Sequence, residues 1–379
     1  MKILVLGCGN IGSAIVMDLT RSIPSAEVAV ADNDLRKITR LANRLKGKIR
    51  HVLIDASNQE KLTRLFSKFD VVVGALPGRL GFNAMHAAIN AGTNMVDVSY
   101  TPENPLLLNE DALNAGVTIV PDCGFAPGLT NLIVGFCSCI FDQIDTVKIF
   151  VGGLPQRPVP PLGYVITWSV EDLIEEYTRD ARIIVDGEIV RVRALDGIET
   201  VEIPHVGTLE AFYTDGLRTL LYTMRNVRNM YEKTLRFPGH AEKIKLLRDL
   251  GFFDDDKVEV EGVEIPINVF TARVLERRLR VSEVRDMVVM RVEVLGYHQG
   301  TKRVMIFDLV DRFDEREEIT AMARVTGYMA STVTKILASG EIKQKGIVPP
   351  EILGRDTAIF KKIIEDLGKR RIVIRISEK

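Results

Sequence analysis

Gly7-Cys8-Gly9-Asn10-Ile11-Gly12 is the first spacing in this chain with chemistry in it. Gly7 permits a tight turn, Gly9 lets backbone approach a pyrophosphate, and Gly12 lets the following helix pack close on the preceding strand. Asn10 and Ile11 open that helix, whose N-terminus presents free N–H groups and a positive dipole end to phosphates. Asp32 stands twenty positions after Gly12, where an acid can accept hydrogen bonds from both ribose hydroxyls. Asn33 and Asp34 follow it with no arginine immediately adjacent, although Arg36 and Lys37 come soon after. A carboxylate repels a 2′-phosphate, so the expected dinucleotide is NAD rather than NADP. Asp32 could also serve as the N-cap of the next helix.

These residues need strands to position them. Apolar runs at Lys2–Leu6, Glu27–Ala31, His51–Asp55, Asp70–Leu76, Asn94–Val98 and Val117–Pro121 alternate with amphipathic helical stretches, the clearest being Phe82–Ala91. The pattern predicts an α/β fold: an N-terminal Rossmann domain with a doubly wound parallel sheet of six strands. Ligands of such sheets lie beyond the carboxyl ends of the strands. Asp55-Ala56 and Ala75-Leu76-Pro77 leave strands three and four on that edge and are expected along the cofactor. Ser99-Tyr100 and Asp122–Asn131 follow strands five and six. Gly124-Phe125-Ala126-Pro127-Gly128 is a rigid turn that could present N–H groups to an anion or act as a hinge. After Asp122 the chain turns β-like and rich in turn residues, with strands expected at Arg182–Val185, Glu199–Ile203 and Met287–Val294. Helices are expected at Leu173–Tyr177, Ala241–Leu250 and Gly327–Ala338. A second α+β domain with a largely antiparallel or mixed sheet follows from this. The expected domains are 1–122, 123–325 for substrate binding and dimerisation, and 326–379.

Composition narrows the ligand. Fifty Lys and Arg against 51 Asp and Glu leave a net charge of −1, which offers no general attraction to nucleic acid or an anionic membrane. The first apolar run is too short for a signal peptide, and no stretch is long enough to span a bilayer, so the chain is expected in the cytoplasm. Cys8, Cys123, Cys137 and Cys139 lack the C-x-x-C spacing of redox or zinc sites and are expected to be buried free thiols, with no metal bound.

Val120-Pro121-Asp122-Cys123-Gly124-Phe125-Ala126-Pro127-Gly128 resembles the D-x-G-x-x-P-G segment of the saccharopine dehydrogenase-like family. Thr167-Trp168-Ser169, Asp215-Gly216-Leu217, Leu235–His240, Thr326-Gly327-Tyr328 and Gly346–Glu351 resemble the same family in the same order. The chain is shorter than a typical saccharopine reductase. Gly152–Pro155, Asp172–Arg179 and Gly239–Lys245 look most like the archaeal L-lysine dehydrogenases. The resemblance implies NAD-dependent oxidative deamination of the side-chain amine of L-lysine, giving ammonia and 2-aminoadipate 6-semialdehyde, which cyclises. It also implies that the segment from about Thr326 returns to the dinucleotide-binding domain, and that the second domain's sheet pairs two copies as a homodimer.

That reaction makes demands on particular residues. The α-carboxylate needs a cation; Arg236 is the first choice, with Arg218 and Arg179 as alternatives. The substrate amine must lose a proton, so a base is needed: Asp122 at a strand end, or His240. Asp122 could instead orient the ammonium, and His240 could merely satisfy a loop. Tyr100 could hydrogen-bond substrate or cofactor. Thr130 and Asn131, in the loop after strand six, and Trp168 are expected to contact the substrate, although Trp168, like Tyr164, could equally be core or cleft wall. Two rivals remain: a saccharopine- or carboxynorspermidine-type dehydrogenase of the same family, and an NAD-sensing regulatory protein.

Overall fold

The computed structural model describes residues 1–379 except Lys48, Trp168, Ser282 and Glu283. It divides into two compact units. The first comprises Met1–Asp142, Arg218–Thr223 and Ala323–Ile374. Its strands are β1 (Lys2–Leu6), β2 (Glu27–Asp32), β3 (Arg50–Leu53), β4 (Val71–Gly74), β5 (Asn94–Asp97) and β6 (Thr118–Val120). All pair in parallel in the order β3-β2-β1-β4-β5-β6, so the direction of winding reverses between β1 and β4. That reversal is the switch point at which such sheets bind ligands. The central strands are apolar throughout because helices cover both faces; Ile3–Leu6 and Val71–Gly74 are buried without alternation.

Two features of this unit lie beyond the sequence reading. Gly346-Ile347 adds a seventh parallel strand beside β6. Two residues are too few for a hydrophobic period to register. The helix expected from Phe82 already begins at Gly78, directly after Pro77, because a helix start tolerates a missing N–H. The late helices are fastened to the first one. Asp18 on helix Asn10–Ser22 accepts from Arg370 Nε at 2.6 Å and Nη2 at 2.9 Å, and also from the Ser331 hydroxyl.

The second unit comprises Gln143–Leu217, Met224–Met322 and Arg375–Lys379. Its nine-stranded sheet is mixed and largely antiparallel. Strand Gln143–Pro155 runs parallel to Asn229–Arg236 and antiparallel to Asp286–His298. Ala181–Val185 and Glu188–Val192 form a hairpin whose turn residues Asp186 and Gly187 both have positive φ, 49° and 87°, as a type I′ turn requires. Helices Val170–Thr178, His240–Asp249 and Ile267–Leu279 contribute to one apolar cluster that includes Tyr164, Tyr177, Phe212, Ile244 and Leu275. Among the described residues no helix is long and apolar enough to cross a membrane.

Candidate functional site

The glycine loop is built by contact, not by composition alone. Gly7 has φ 105°, and a Cβ there would lie 2.2 Å from the Ala75 carbonyl oxygen; at Gly12 it would lie 1.9 Å from the Gly7 oxygen. Neither position can carry a side chain. Gly9 differs: it is exposed, and a Cβ would meet nothing within 4 Å. The room above Gly9 suits a ligand that backbone must approach closely, and helix Asn10–Ser22 starts there with its first amides lacking intrahelical acceptors. This is the observation by which the loop fits a dinucleotide pyrophosphate.

Asp32 ends β2 beside this loop. Its Oδ2 accepts from the Cys8 amide at 2.6 Å and its Oδ1 from the Asp34 amide at 2.8 Å. Those bonds fix the carboxylate while leaving each oxygen a further lone pair for a ribose hydroxyl. The capping role falls to Asp34, which caps helix Leu35–Arg44 and also binds Arg36 through Nε at 3.2 Å. Asn33 and Asp55 are exposed, Ala56 is buried, and Ala75-Leu76-Pro77 connect β4 to the helix at Gly78.

A charged cluster lies in the same unit, at the ends of β5 and β6. Asp122 adopts φ 50° and is buried; Arg218 Nε donates to both its carboxylate oxygens, at 3.3 and 3.2 Å. Arg218 Nη2 donates to Thr101 Oγ1 at 3.0 Å and to the Glu103 carbonyl at 3.3 Å, and its guanidinium lies 5.4 Å from the Tyr100 ring. Burial raises the Asp122 carboxyl, and the Arg218 charge works against that rise. Asp97, absent from the sequence reading, sits fully buried at the end of β5 and receives the Ser99 amide and hydroxyl at 2.9 and 3.1 Å. Burial pushes it up to about 7, with the Ser99 bonds opposing and Asp122 adding to the rise. It packs where Gly74 has no side chain: a Cβ there would be 2.0 Å from Asp97 Oδ1. An acid ending a buried strand was the available signal. Two buried carboxyls and one buried guanidinium therefore interact at these strand ends, an arrangement able to hold or move a proton near neutral pH.

Thr130 and Asn131 have other work. Both are fully buried; Asn131 Oδ1 accepts from the Gly128 amide and Thr130 Oγ1, and its Nδ2 donates to Glu351 Oε2 at 3.4 Å. Glu351 accepts in turn from Thr223 Oγ1 at 2.7 Å. These groups tie the start of helix Leu129–Cys137 to the late chain and leave little of themselves for a substrate. The thiols of Cys8, Cys123 and Cys137 are buried, whereas Cys139 is exposed and donates to the Arg355 carbonyl.

Within the second unit Arg236 ends its strand buried, with Nη2 donating to Glu176 at 2.8 Å and its guanidinium 4.6 Å from the Tyr164 ring. Arg179 instead pairs with Glu175 on the helix it caps. His240 is fully buried. Its Nδ1 faces the Leu162 carbonyl at 2.9 Å and must donate; Nε2 then accepts from the Tyr177 hydroxyl at 2.9 Å. Burial, with the Arg236 charge, drives it down to about 3. Both ring nitrogens are spent in an aromatic surround of Tyr164, Tyr177 and Phe212, which suits a structural imidazole and not a base. Trp168 lies outside the described residues. Glu232, also missed, is buried on the strand of Arg236; burial first, then Glu176 and Asp215, push it up to about 8.

Comparison with known proteins covers nearly the whole chain. Residues 3–120 match the family model of the saccharopine dehydrogenase NADP binding domain, and 124–373 that of the saccharopine dehydrogenase C-terminal domain. Saccharopine dehydrogenase [NADP(+), L-glutamate-forming] of Saccharomyces cerevisiae is 23% identical over 97% of both chains. The mitochondrial alpha-aminoadipic semialdehyde synthase of Mus musculus is 22% identical over 92% of this chain, which spans 45% of that protein. In three dimensions the apo saccharopine dehydrogenase (L-Glu forming) of Saccharomyces cerevisiae superposes with a TM-score of 0.81 at 21% identity, covering 100% and 99% of the two chains.

Proposed function

Because the chain belongs to the saccharopine dehydrogenase family, and so is an oxidoreductase with a nicotinamide-nucleotide-binding domain acting on a CH–NH group, we propose that it oxidises the side-chain amine of L-lysine with NAD. The observation that carries the amine chemistry is the Asp122–Arg218 pair: a carboxylate at a strand end, buried with one cation, in the unit that holds the glycine loop. Gly7, Gly9 and Gly12 with the first turn of helix Asn10–Ser22 would hold the pyrophosphate, and Asp32 the ribose hydroxyls. The bound nicotinamide supplies a hydride acceptor. In this reading Asp122 takes the proton that the ammonium must lose before hydride can leave the ε-carbon, its basicity lifted by burial. Arg218 holds the carboxylate in place and keeps the cluster from accumulating two uncompensated negative charges. Water then hydrolyses the imine to the semialdehyde and ammonia.

The choice of NAD rests on Asp32, whose carboxylate would accept hydrogen bonds from the ribose hydroxyls and repel a 2′-phosphate. The choice of lysine rests on the runs Gly152–Pro155, Asp172–Arg179 and Gly239–Lys245. A second support is length: the alignment with the yeast enzyme extends over 441 positions against 379 residues here, so that two-acid enzyme carries segments this chain lacks. The NADP-dependent oxidation of saccharopine, named for the relatives, is the second reading. Product analysis separates the two. Lysine dehydrogenation releases one ammonia per NADH and a semialdehyde that forms a coloured adduct with o-aminobenzaldehyde. Glutamate released from saccharopine, with no ammonia from lysine, would reject the lysine reading in favour of the second.

A further inference from the structure

Strand Asn229–Arg236 turns Glu232, Thr234 and Arg236 to one face of its sheet, because alternate residues share a face. Val151 pairs with Thr234 on that face, and Gly153, two residues on, shares it. A Cβ on Gly153 would lie 3.5 Å from Thr167 Oγ1. Three buried polar atoms on this face have no hydrogen-bond partner among the described residues: Glu232 Oε2, Arg236 Nε and Thr167 Oγ1. Buried polar atoms are nearly always paired, so three orphans on one face ask for a ligand. The neighbouring acids are already provided for. Asp215 takes the Arg182 guanidinium at 2.9 and 2.8 Å and its backbone amide at 3.1 Å, and Glu176 takes Arg236. Glu232 alone faces Gly216, where a Cβ would lie 1.5 Å from Oε1, so the glycine leaves the space the carboxyl fills.

We propose that Glu232 is the receptor for the α-ammonium of the amino-acid substrate, on a face whose free Arg236 Nε and Thr167 hydroxyl suit the adjoining α-carboxylate. A primary ammonium is compact and brings three donors to a carboxyl that has none. A metal ion is a poorer occupant, since the described residues contain no cluster of three or more His, Cys, Asp or Glu able to ligate one. Glu176 beside Arg236 tempers the guanidinium, so neither charge of a zwitterionic head group meets an unbalanced field. This assignment rests on the reading of the substrate as an amino acid with a free α-amino group, which lysine and the lysine half of saccharopine both possess.

The test is calorimetric titration of the full-length protein, saturated with NADH to prevent turnover, using lysine and 6-aminohexanoate, which lacks the α-ammonium. Wild type should bind lysine more tightly than 6-aminohexanoate. Glu232→Gln should weaken lysine by roughly 10- to 100-fold, the scale of a charge-assisted bond, and leave 6-aminohexanoate within about twofold. Glu232→Asp, which keeps the charge, should recover part of the loss; it also serves if the Gln variant does not fold. Equal lysine affinity in wild type and the variants overturns the assignment. If wild type ignores lysine but binds saccharopine, the lysine reading falls. The assignment is then judged on saccharopine, where the same loss upholds it and equal affinity overturns it.

Discussion

Replacing Glu232 by Gln should stabilise the unliganded protein at alkaline pH, by an amount that follows from its surroundings. The carboxyl is 4% exposed and is pushed from its ordinary 4.5 up to about 8. Below pH 4.5 the group is protonated whether the chain is folded or not, and it costs nothing. Between 4.5 and 8 the unfolded chain releases this proton while the folded chain keeps it, so stability falls as pH rises. Each pKa unit is worth about 1.4 kcal/mol, so the accumulated cost above pH 8 approaches ~5 kcal/mol. Gln keeps the shape without the ionisation. Taking about 2.1 cal/mol/K of unfolding entropy per residue, the whole chain would gain roughly 6 °C in Tm at pH 9 and little at pH 5. Thermal melts of both proteins from pH 5 to 9, without substrate, measure this directly. Parallel Tm curves across that range would mean that Glu232 ionises as easily folded as unfolded, and that burial does not raise it.

Gly9→Ala meets no protein atom within 4 Å, so it should melt like wild type yet bind NAD at least about tenfold more weakly by titration; Gly12→Ala, 1.9 Å from the Gly7 oxygen, should lose stability outright. Asp122→Asn should abolish amine oxidation and, by leaving Arg218 buried without its counter-charge, cost about 3–5 kcal/mol in denaturant titration; adding Arg218→Met should restore much of the stability but none of the rate. Asp32→Ser should narrow the ratio of kcat/KM for NAD over NADP by about tenfold or more, measured with both coenzymes. His240 is depressed from 6.5 to about 3, so it binds fewer protons folded than unfolded and stability is lost as pH falls from 6.5 towards 3; His240→Gln should flatten that acid decline in urea melts at pH 4 and 7.

Local signals carried much of this fold. A strand, three glycines and a helix stand in immediate succession, and the β2 acid lies one supersecondary unit away, so period and turn chemistry place them. Partnerships across distance were not legible. Arg218 meets Asp122 from 96 positions away, and nothing near either residue announces the other. Asp97 reads as one acid among many until Gly74 proves to be the space it occupies. His240 looks like a base in a Pro/Gly loop, but its ring is consumed by Tyr177 and Leu162. Thr130 and Asn131 follow a loop of the right kind, but Glu351, 220 positions on from Asn131, engages it. Asp34 took the capping role that Asp32 could have played, because Asp32 is drawn back to the Cys8 amide.

The most direct test of lysine oxidation by NAD is the absorbance at 340 nm of purified protein with NAD and L-lysine, 2-oxoglutarate being absent. Steady NADH formation that depends on lysine and disappears in Asp122→Asn is expected. No NADH from lysine, with turnover of saccharopine in a parallel sample, would contradict it.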